Sequence, residues 1–166
     1  MADFKINGVT FASESGGVVS LSNANIFPVG HIIQTQTAVS TTTVNPASNN
    51  NFVDSGLSVN ITPKFNNSKI YLHHVVAVII NDSSYFGLRI QRIAPSTASL
   101  LPNYTYWVTA SWSPAHSSYV AFDTPNTTQM CTYKLQVYKT QGNVYWNYNG
   151  PGGGNEAQLI AMEIKQ

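Results

Sequence analysis

The chain has 166 residues, enough for one domain with a sizeable core, and its formal net charge is only +1. Charged residues make up 9%, well below the roughly 25% of ordinary soluble domains, so neutral groups (17 Ser, 15 Thr and 17 Asn) must supply most of the polar surface. The charges are scattered singly, which excludes the basic patch that nucleic acid or an anionic membrane would require. Such a weak net charge also does little to oppose self-association.

The first 28 residues differ from the remainder of the chain. Small apolar pieces alternate there with polar and glycine residues, a pattern too apolar for a disordered tail and too broken for an independent core. Such segments often order by adding strands to another surface. We interpret residues 1–28 as an extended attachment arm, the alternative being one or two edge strands of the same domain. The expected contacts are Phe4, Ile6, Val9, Phe11, Val18, Val19, Leu21, Ile26 and Phe27.

Residues 29–166 are predicted to form an antiparallel β-sandwich. Short β-branched and aromatic runs are separated by clusters of Asn, Gly, Pro and Ser, which favours strands joined by turns. A Thr-rich strand is expected near residue 34, and apolar–polar alternation predicts half-buried strands at 57–61, 133–138 and 144–148. We expect eight or nine strands in a jelly-roll-like arrangement.

The predicted strand at 69–80 is apolar on both faces, and residues 159–164 repeat that pattern. One face of such a strand belongs to the core of a two-sheet sandwich, so the other face needs a further layer. A neighbouring copy of the chain is the simplest cover. The residues predicted at this subunit interface are Tyr71, His73, Val75, Ile79, Ile160, Met162 and Ile164.

An aromatic group lies within residues 82–120, a region expected to contribute outward-facing loops. Its members are Tyr104, Tyr106, Trp107, Trp112 and, nearby, Tyr119. Tyr and Trp beside Asn and Ser suit stacking on sugar rings or contacts with another protein, although burial in the core is their commonest fate. These residues are candidate outer or host-glycan contacts.

Catalytic and metal-binding patterns are weak. Cys131, His116 and Asp123 supply the residue types of a nucleophilic triad, but their spacing matches no nucleophile signature. His73 and His74 are neighbours in a predicted strand, so they point to opposite faces and cannot hold one ion together. The single cysteine excludes an internal disulfide and a cysteine-based zinc site. We expect no enzyme, no cofactor and no metal; a small hydrolase is the least favoured alternative.

Several motifs occur in a recognisable order. Residues 1–21 are followed by 27–34, 52–63, 123–128, 132–137 and 159–164. Together they resemble short virion structural proteins of tailed phages, notably those of marine and cyanobacterial hosts, which are described as capsid decoration proteins, head fibres or tail-fibre components. The resemblance spans nearly the whole chain and is poorest over residues 82–120. It implies a homotrimer-forming β-sandwich without catalytic residues.

The function predicted from these features is a trimeric capsid decoration (cement or head-fibre) protein of a tailed phage, which binds and stabilises the assembled shell through its arm. The alternative is a tail-fibre or receptor-binding component that contacts host glycans. The expected partners are other copies of the chain and the major capsid protein or another virion protein. The N-terminus lacks the pattern of a secretory signal. We therefore expect assembly into the virion in the host cytoplasm.

Overall fold

The β-branched and aromatic runs of the sequence form strands throughout the described part of the chain. The computed structural model describes residues 2–21, 27–47, 51–81, 83–100, 104–108, 113–148 and 156–166. All strand pairing within these ranges is antiparallel, and they contain no helix. Accordingly, no helix able to span a membrane is found in them. The predicted all-β class is confirmed.

The N-terminal segment forms a three-stranded sheet in the order β1 (Ala2–Ile6), β2 (Val9–Ser15) and β3 (Val18–Leu21). Asn7-Gly8 and Gly16-Gly17 occupy the two hairpin turns, and all four residues have positive φ, as tight two-residue hairpins require. Among the described strands, β1–β3 pair only with one another. The segment therefore has hairpins of its own, which the sequence interpretation did not anticipate; the arm itself stays a prediction.

The remaining strands form two sheets that share one core. The first sheet has the order β10-β6-β13-β4, with β12 also pairing with β6; the second has the order β5-β11-β7-β8, with β9 also pairing with β7. Their bounds are β4 Ile32–Ser40, β5 Val53–Ile61, β6 Lys69–Ile80, β7 Ser84–Ala94, β8 Ala98–Ser99, β9 Tyr104–Val108, β10 Ser113–Asp123, β11 Cys131–Lys139, β12 Val144–Trp146 and β13 Ala157–Ile164. The strands described exceed the predicted eight or nine because β1–β3 and the short strands β8 and β9 were not foreseen, whereas β12 matches the strand expected at 144–148.

The core lies between the inner faces of the two sheets. The predicted alternation holds in β5 and β11, whose apolar residues face inward, and every second residue of β6 is buried. Trp146 of β12 packs edge-on against Phe86 of β7, with ring centroids 5.6 Å apart, and so joins the two sheets. Complete burial of one large apolar side chain stabilises the fold by about 1.5–3 kcal/mol. The described part of residues 29–166 is therefore a β-sandwich.

A bulge interrupts the pairing of β5 with β11 at Gly56. The register shifts between Lys134 and Gln136 on the partner strand, and Gly56 has φ +82°. The Ser55 hydroxyl donates to the Leu135 carbonyl at 2.8 Å and accepts from the Leu57 amide at 3.3 Å. Because L-residues rarely adopt this φ, glycine suits this position of the Asp-Ser-Gly motif.

Residues 82–120 contribute far more to the sandwich than expected. The sequence suggested outward loops, but this region contains β7 and β10, each 11 residues long. Phe86, Leu88 and Ile90 of β7 are buried in the core. The sequence interpretation placed outward-facing loops within this region but did not identify these two long strands, because the alternation of their apolar residues was overlooked.

Candidate functional site: an apolar sheet face

The seven predicted interface residues all lie on one surface, the outer face of the first sheet. Leu72, His74 and Val76 of β6 point into the core, so Tyr71, His73 and Val75 point outward. In β13, burial of Leu159 and Ala161 likewise directs the alternate residues outward. The residues that share this outward face are Tyr71, His73, Val75, Ile79, Ile160, Met162 and Ile164, and their role as a subunit interface stays a prediction.

Strand register brings these side chains into cross-strand rows. Ile160 lies opposite His73, and Met162 lies opposite Tyr71. On the other side of β6, Val120 lies opposite His73. Phe122 lies opposite Tyr71, and the two rings are 5.5 Å apart. The rows cross three neighbouring strands and form one continuous surface.

The outer strands of the sheet extend this surface with residues that the sequence did not single out. Val120 and Phe122 of β10 are 42% and 50% exposed, and Ile32 and Val39 of β4 are 55% and 58% exposed. Single exposed apolar residues are common, but a contiguous group marks an interaction surface. The surface is called the apolar face below and consists of Ile32, Val39, Tyr71, His73, Val75, Ala77, Ile79, Val120, Phe122, Ile160, Met162 and Ile164.

The polar groups of the apolar face are mostly uncharged, and on its β4 side they include Thr35, Thr37 and Gln158, which lie opposite Met162, Ile160 and Val39. His73 Nε2 lies 2.8 Å from the Ser118 hydroxyl oxygen. The Lys69 ammonium lies 4.4 Å from the centre of the Phe122 ring, where a cation–π contact partly satisfies it. The carboxylates of Asp123 and Glu163 belong to the inner side of the sheet, where both are buried. The apolar face therefore carries almost no charge, and the one charged group described beside it, Lys69, is positive.

The outer face of the second sheet has the opposite character. Asp54 accepts hydrogen bonds from Lys134 Nζ at 2.5 Å and from Gln136 Nε2 at 2.7 Å. Gln136 Oε1 in turn accepts from Arg89 Nε at 2.7 Å. These bonds, first that from Lys134, hold the pKa of Asp54 below its ordinary value. The outward row of Asp54, Gln136 and Arg89 is thus polar and hydrogen-bonded, whereas the row of Val120, His73 and Ile160 on the first sheet is mainly apolar.

The residue types of a nucleophilic triad are not brought together. Asp123 accepts from Arg92 Nη1 at 2.6 Å and from the Tyr133 hydroxyl at 2.8 Å, between the two sheets. His116 is exposed seven positions away on the same strand, an odd separation that places it on the opposite face. Cys131 is buried, and burial raises the pKa of its thiol, which disfavours the thiolate.

His74 and Tyr119 belong to the core side of the first sheet. Their rings stack at 5.7 Å, and His74 Nε2 lies 3.3 Å from the Ser117 hydroxyl oxygen. Burial, with a smaller contribution from His73, lowers the pKa of His74 to about 4. Tyr119 packs against the core. Tyr119 is half-buried on the inner side of the sheet, away from the face that its neighbours Val120 and Ser118 share.

A buried carboxylate that the sequence did not reveal organises one end of the sheet. Glu163 Oε1 accepts from the amides of Lys64 and Phe65, at 2.7 and 3.2 Å, and from the Ser68 hydroxyl at 2.6 Å. Gln34 Nε2 donates to Glu163 Oε2 at 2.7 Å. These bonds anchor the β5–β6 connection to β13, and so hold two strands of the apolar face in register.

The other candidate residues are only partly described. β9 contains Tyr104, Tyr106 and Trp107, whose side chains are not among those described, and Trp112 and Ile26 lie outside the described residues. Of the predicted arm contacts, Phe4 is 59% exposed and Phe27 is half-buried. Only the backbone positions in β1–β3 are described for Ile6, Val9, Phe11, Val18, Val19 and Leu21.

No known protein family matches the chain, and no curated protein is similar to it in sequence. Solved structures of infectious bursal disease virus have similar backbones. Its VP2 subviral particle gives a TM-score of 0.48 at 10% identity over 92% of this chain and 36% of that chain. Its T13 viral particle gives a TM-score of 0.48 at 13% identity, over 92% of this chain and 39% of that chain. The chain thus spans about two fifths of the length of these proteins.

Within the described residues, no group of three or more His, Cys, Asp or Glu could hold a metal ion.

Proposed function

We propose that the chain is a non-enzymatic structural protein of a tailed-phage virion, which associates with copies of itself, as a homotrimer, through the apolar face. The apolar face is the observation that carries the self-association, and the assignment to a tailed-phage virion rests on the sequence resemblance described above. A single copy exposes it to water, whereas burial against other copies contributes about 25 cal/mol for each Å² of apolar surface covered. Its near absence of charge removes the repulsion that would keep identical faces apart.

The strand order supports a jelly-roll arrangement for this subunit. Leaving out the short strands β8 and β12, the sheets have the orders β4-β13-β6-β10 and β5-β11-β7-β9. Apart from β7 and β9, neighbours within each sheet are distant in sequence, as two interlocked Greek keys require.

Within the virion, we assign the protein to capsid decoration, attached through residues 1–28. Such a protein binds the assembled shell and not its dissociated subunits, and therefore stabilises the shell by mass action. The described N-terminal strands pair only among themselves, which leaves the outer edges of β1 and β3 available for strand addition to a capsid protein. Counting copies in purified particles tests the location, because a shell protein is abundant and a tail component is scarce.

The alternative is a tail-fibre or receptor-binding component that contacts host glycans. It is supported by Tyr85 of β7, which is 45% exposed and lies opposite Trp107 of β9. Under this alternative, Tyr85→Ala combined with Trp107→Ala abolishes adsorption of the phage to its host. Under the decoration proposal, adsorption is unchanged.

Sedimentation equilibrium tests the self-association. We expect the native protein to sediment as a trimer, and Ile160→Lys to sediment as a monomer, because it buries an unpaired charge at an interface centre at a cost of about 2 kcal/mol or more. The matched control is Gln91→Lys on the polar face of the second sheet, which should leave the trimer intact. A native protein that is monomeric at high concentration would overturn the proposal.

A further inference from the structure

His73 occupies the middle of the apolar face. Its cross-strand neighbours are Val120 on β10 and Ile160 on β13, and the Tyr71 ring lies 6.3 Å away on its own strand. The polar partner described for it is the Ser118 hydroxyl, 2.8 Å from Nε2. A hydroxyl can hydrogen-bond to either form of the ring, but it cannot neutralise an imidazolium.

The charged groups nearest His73 do not compensate a positive charge. On β6, the adjacent His74 faces the core and its pKa is lowered to about 4, and the nearest outward charge is the cationic Lys69. On β10, the nearest outward ionisable group is His116. The outward positions of β13 and β4 that are described carry no ionisable group. Glu156 precedes β13, four positions before Ile160, which corresponds to about 13 Å along an extended chain.

The two carboxylates that end neighbouring strands are already engaged on the inner side of the sheet. Asp123 is paired with Arg92, and Glu163 accepts bonds from the β5–β6 connection. Both are buried. Protonation of His73 therefore adds a charge that the described residues around it leave unpaired.

We propose that protonation of His73 separates the copies joined by the apolar face, so that assembly of this protein is switched by pH. This inference rests on the self-association proposed above. In a separated copy the imidazolium is in contact with water. In the assembly it lies between apolar side chains, where an unpaired charge is strongly disfavoured.

The size of the effect follows from proton linkage. If only the neutral form of His73 is buried, each copy must release at most one proton before it associates. The association constant therefore falls by up to about tenfold per pH unit for each copy that buries His73, or by up to about a thousandfold per pH unit for a trimer. Histidine is the side chain whose ordinary titration falls near neutral pH.

Sedimentation equilibrium of the full chain at about pH 7.5 and about pH 5.5 provides the test. We expect trimers at the higher pH and a weakening of up to about a thousandfold per pH unit toward the lower pH, with circular dichroism unchanged. His73→Gln should remain trimeric at both pH values. If the variant His73→Gln is already a weaker trimer at the higher pH, the variant His73→Phe, which keeps an uncharged ring, is used in its place. His116→Gln is the matched control and should dissociate like the native protein.

The outcomes separate this inference from the proposed function. A monomer at both pH values overturns the self-association itself. Equal association at both pH values overturns the switch alone. The switch is also overturned if His73→Gln or His73→Phe dissociates as the native protein does, or if only His116→Gln abolishes the response.

Discussion

Arg92 of β7 donates a hydrogen bond from Nη1 to the Asp123 carboxylate of β10 across 2.6 Å, and so ties one sheet of the sandwich to the other. Both side chains are nearly fully buried, and the Tyr133 hydroxyl donates to the same carboxylate oxygen. The bond directs Asp123 inward. Because side chains alternate along a strand, it also sets Val120 and Phe122 on the outside.

Removing the charge of Asp123 should destabilise the fold strongly. Asp123→Asn leaves Arg92 as a buried cation without a counter-charge, a loss of about 3–5 kcal/mol in the free energy of unfolding. Urea denaturation at fixed protein concentration measures it. Asp54→Asn is the matched control, because the Asp54–Lys134 pair is largely exposed and should contribute only about 0–1 kcal/mol. Similar losses in the two variants would contradict the assignment of a buried pair.

Acid should weaken the fold through His74. Its pKa is about 4 in the folded protein and 6.5 when unperturbed, so the unfolded chain takes up the proton first as the pH falls. The stability contribution is complete above pH 6.5 and is lost progressively down to about pH 4, by roughly 3 kcal/mol in all. Denaturation at a series of pH values should show this slope in the native protein and in His116→Gln, but not in His74→Phe. A slope that survives in His74→Phe would assign it to another group.

Glu163→Ala should loosen the connection between β5 and β6. It removes the acceptor of the Lys64 and Phe65 amides and of the Ser68 hydroxyl. The Ser68 hydroxyl is buried and the two amides are partly buried. A buried donor left unpaired costs about 1–3 kcal/mol, so we expect a loss in this range. Hydrogen exchange should become faster at residues 64–68. The exposed Glu156 provides the control, since Glu156→Ala should change stability by no more than about 0.5 kcal/mol.

Gly56→Ala should cost stability through the backbone alone. The nearest atom to an added Cβ is the Ser40 hydroxyl oxygen at 3.8 Å, an ordinary contact, whereas φ is +82°. We expect a loss of about 1–2 kcal/mol in thermal or urea denaturation. Gly56→Asn should lose less, because asparagine tolerates positive φ better than alanine. An equal loss in both variants would point to crowding instead.

Deleting residues 1–28 should separate attachment from folding. The described strands of this segment pair only with one another, so the sandwich should keep its β-rich circular dichroism spectrum and its oligomeric state. We expect the truncated protein to lose cosedimentation with shells that lack the protein, whereas the full chain binds them. Undiminished binding of the truncated protein would exclude the arm as the attachment device.

The repeating apolar pattern alone predicted much of the fold. Alternation at Leu57, Val59 and Ile61 identified β5, and the two-sided apolar character of 69–80 identified β6 as a strand with a second face to cover. The hairpins of β1–β3 were missed because their signal in the sequence is a pair of turn residues and not a repeating apolar pattern. The Asn7-Gly8 and Gly16-Gly17 pairs are hairpin signals, but the weak apolar pattern around them favoured an arm.

The sequence by itself determined the β class, the main core strands and which residues of β6 and β13 share a face, because a two-residue period is a local property of the chain. Only the tertiary structure decided the extent of the apolar face. In β10, the set Ser117, Tyr119, Ala121 and Asp123 is the more polar one, so alternation alone would direct it toward solvent. It faces the core because Arg92 and Tyr133, distant in sequence, supply the partners that make burial of Asp123 affordable.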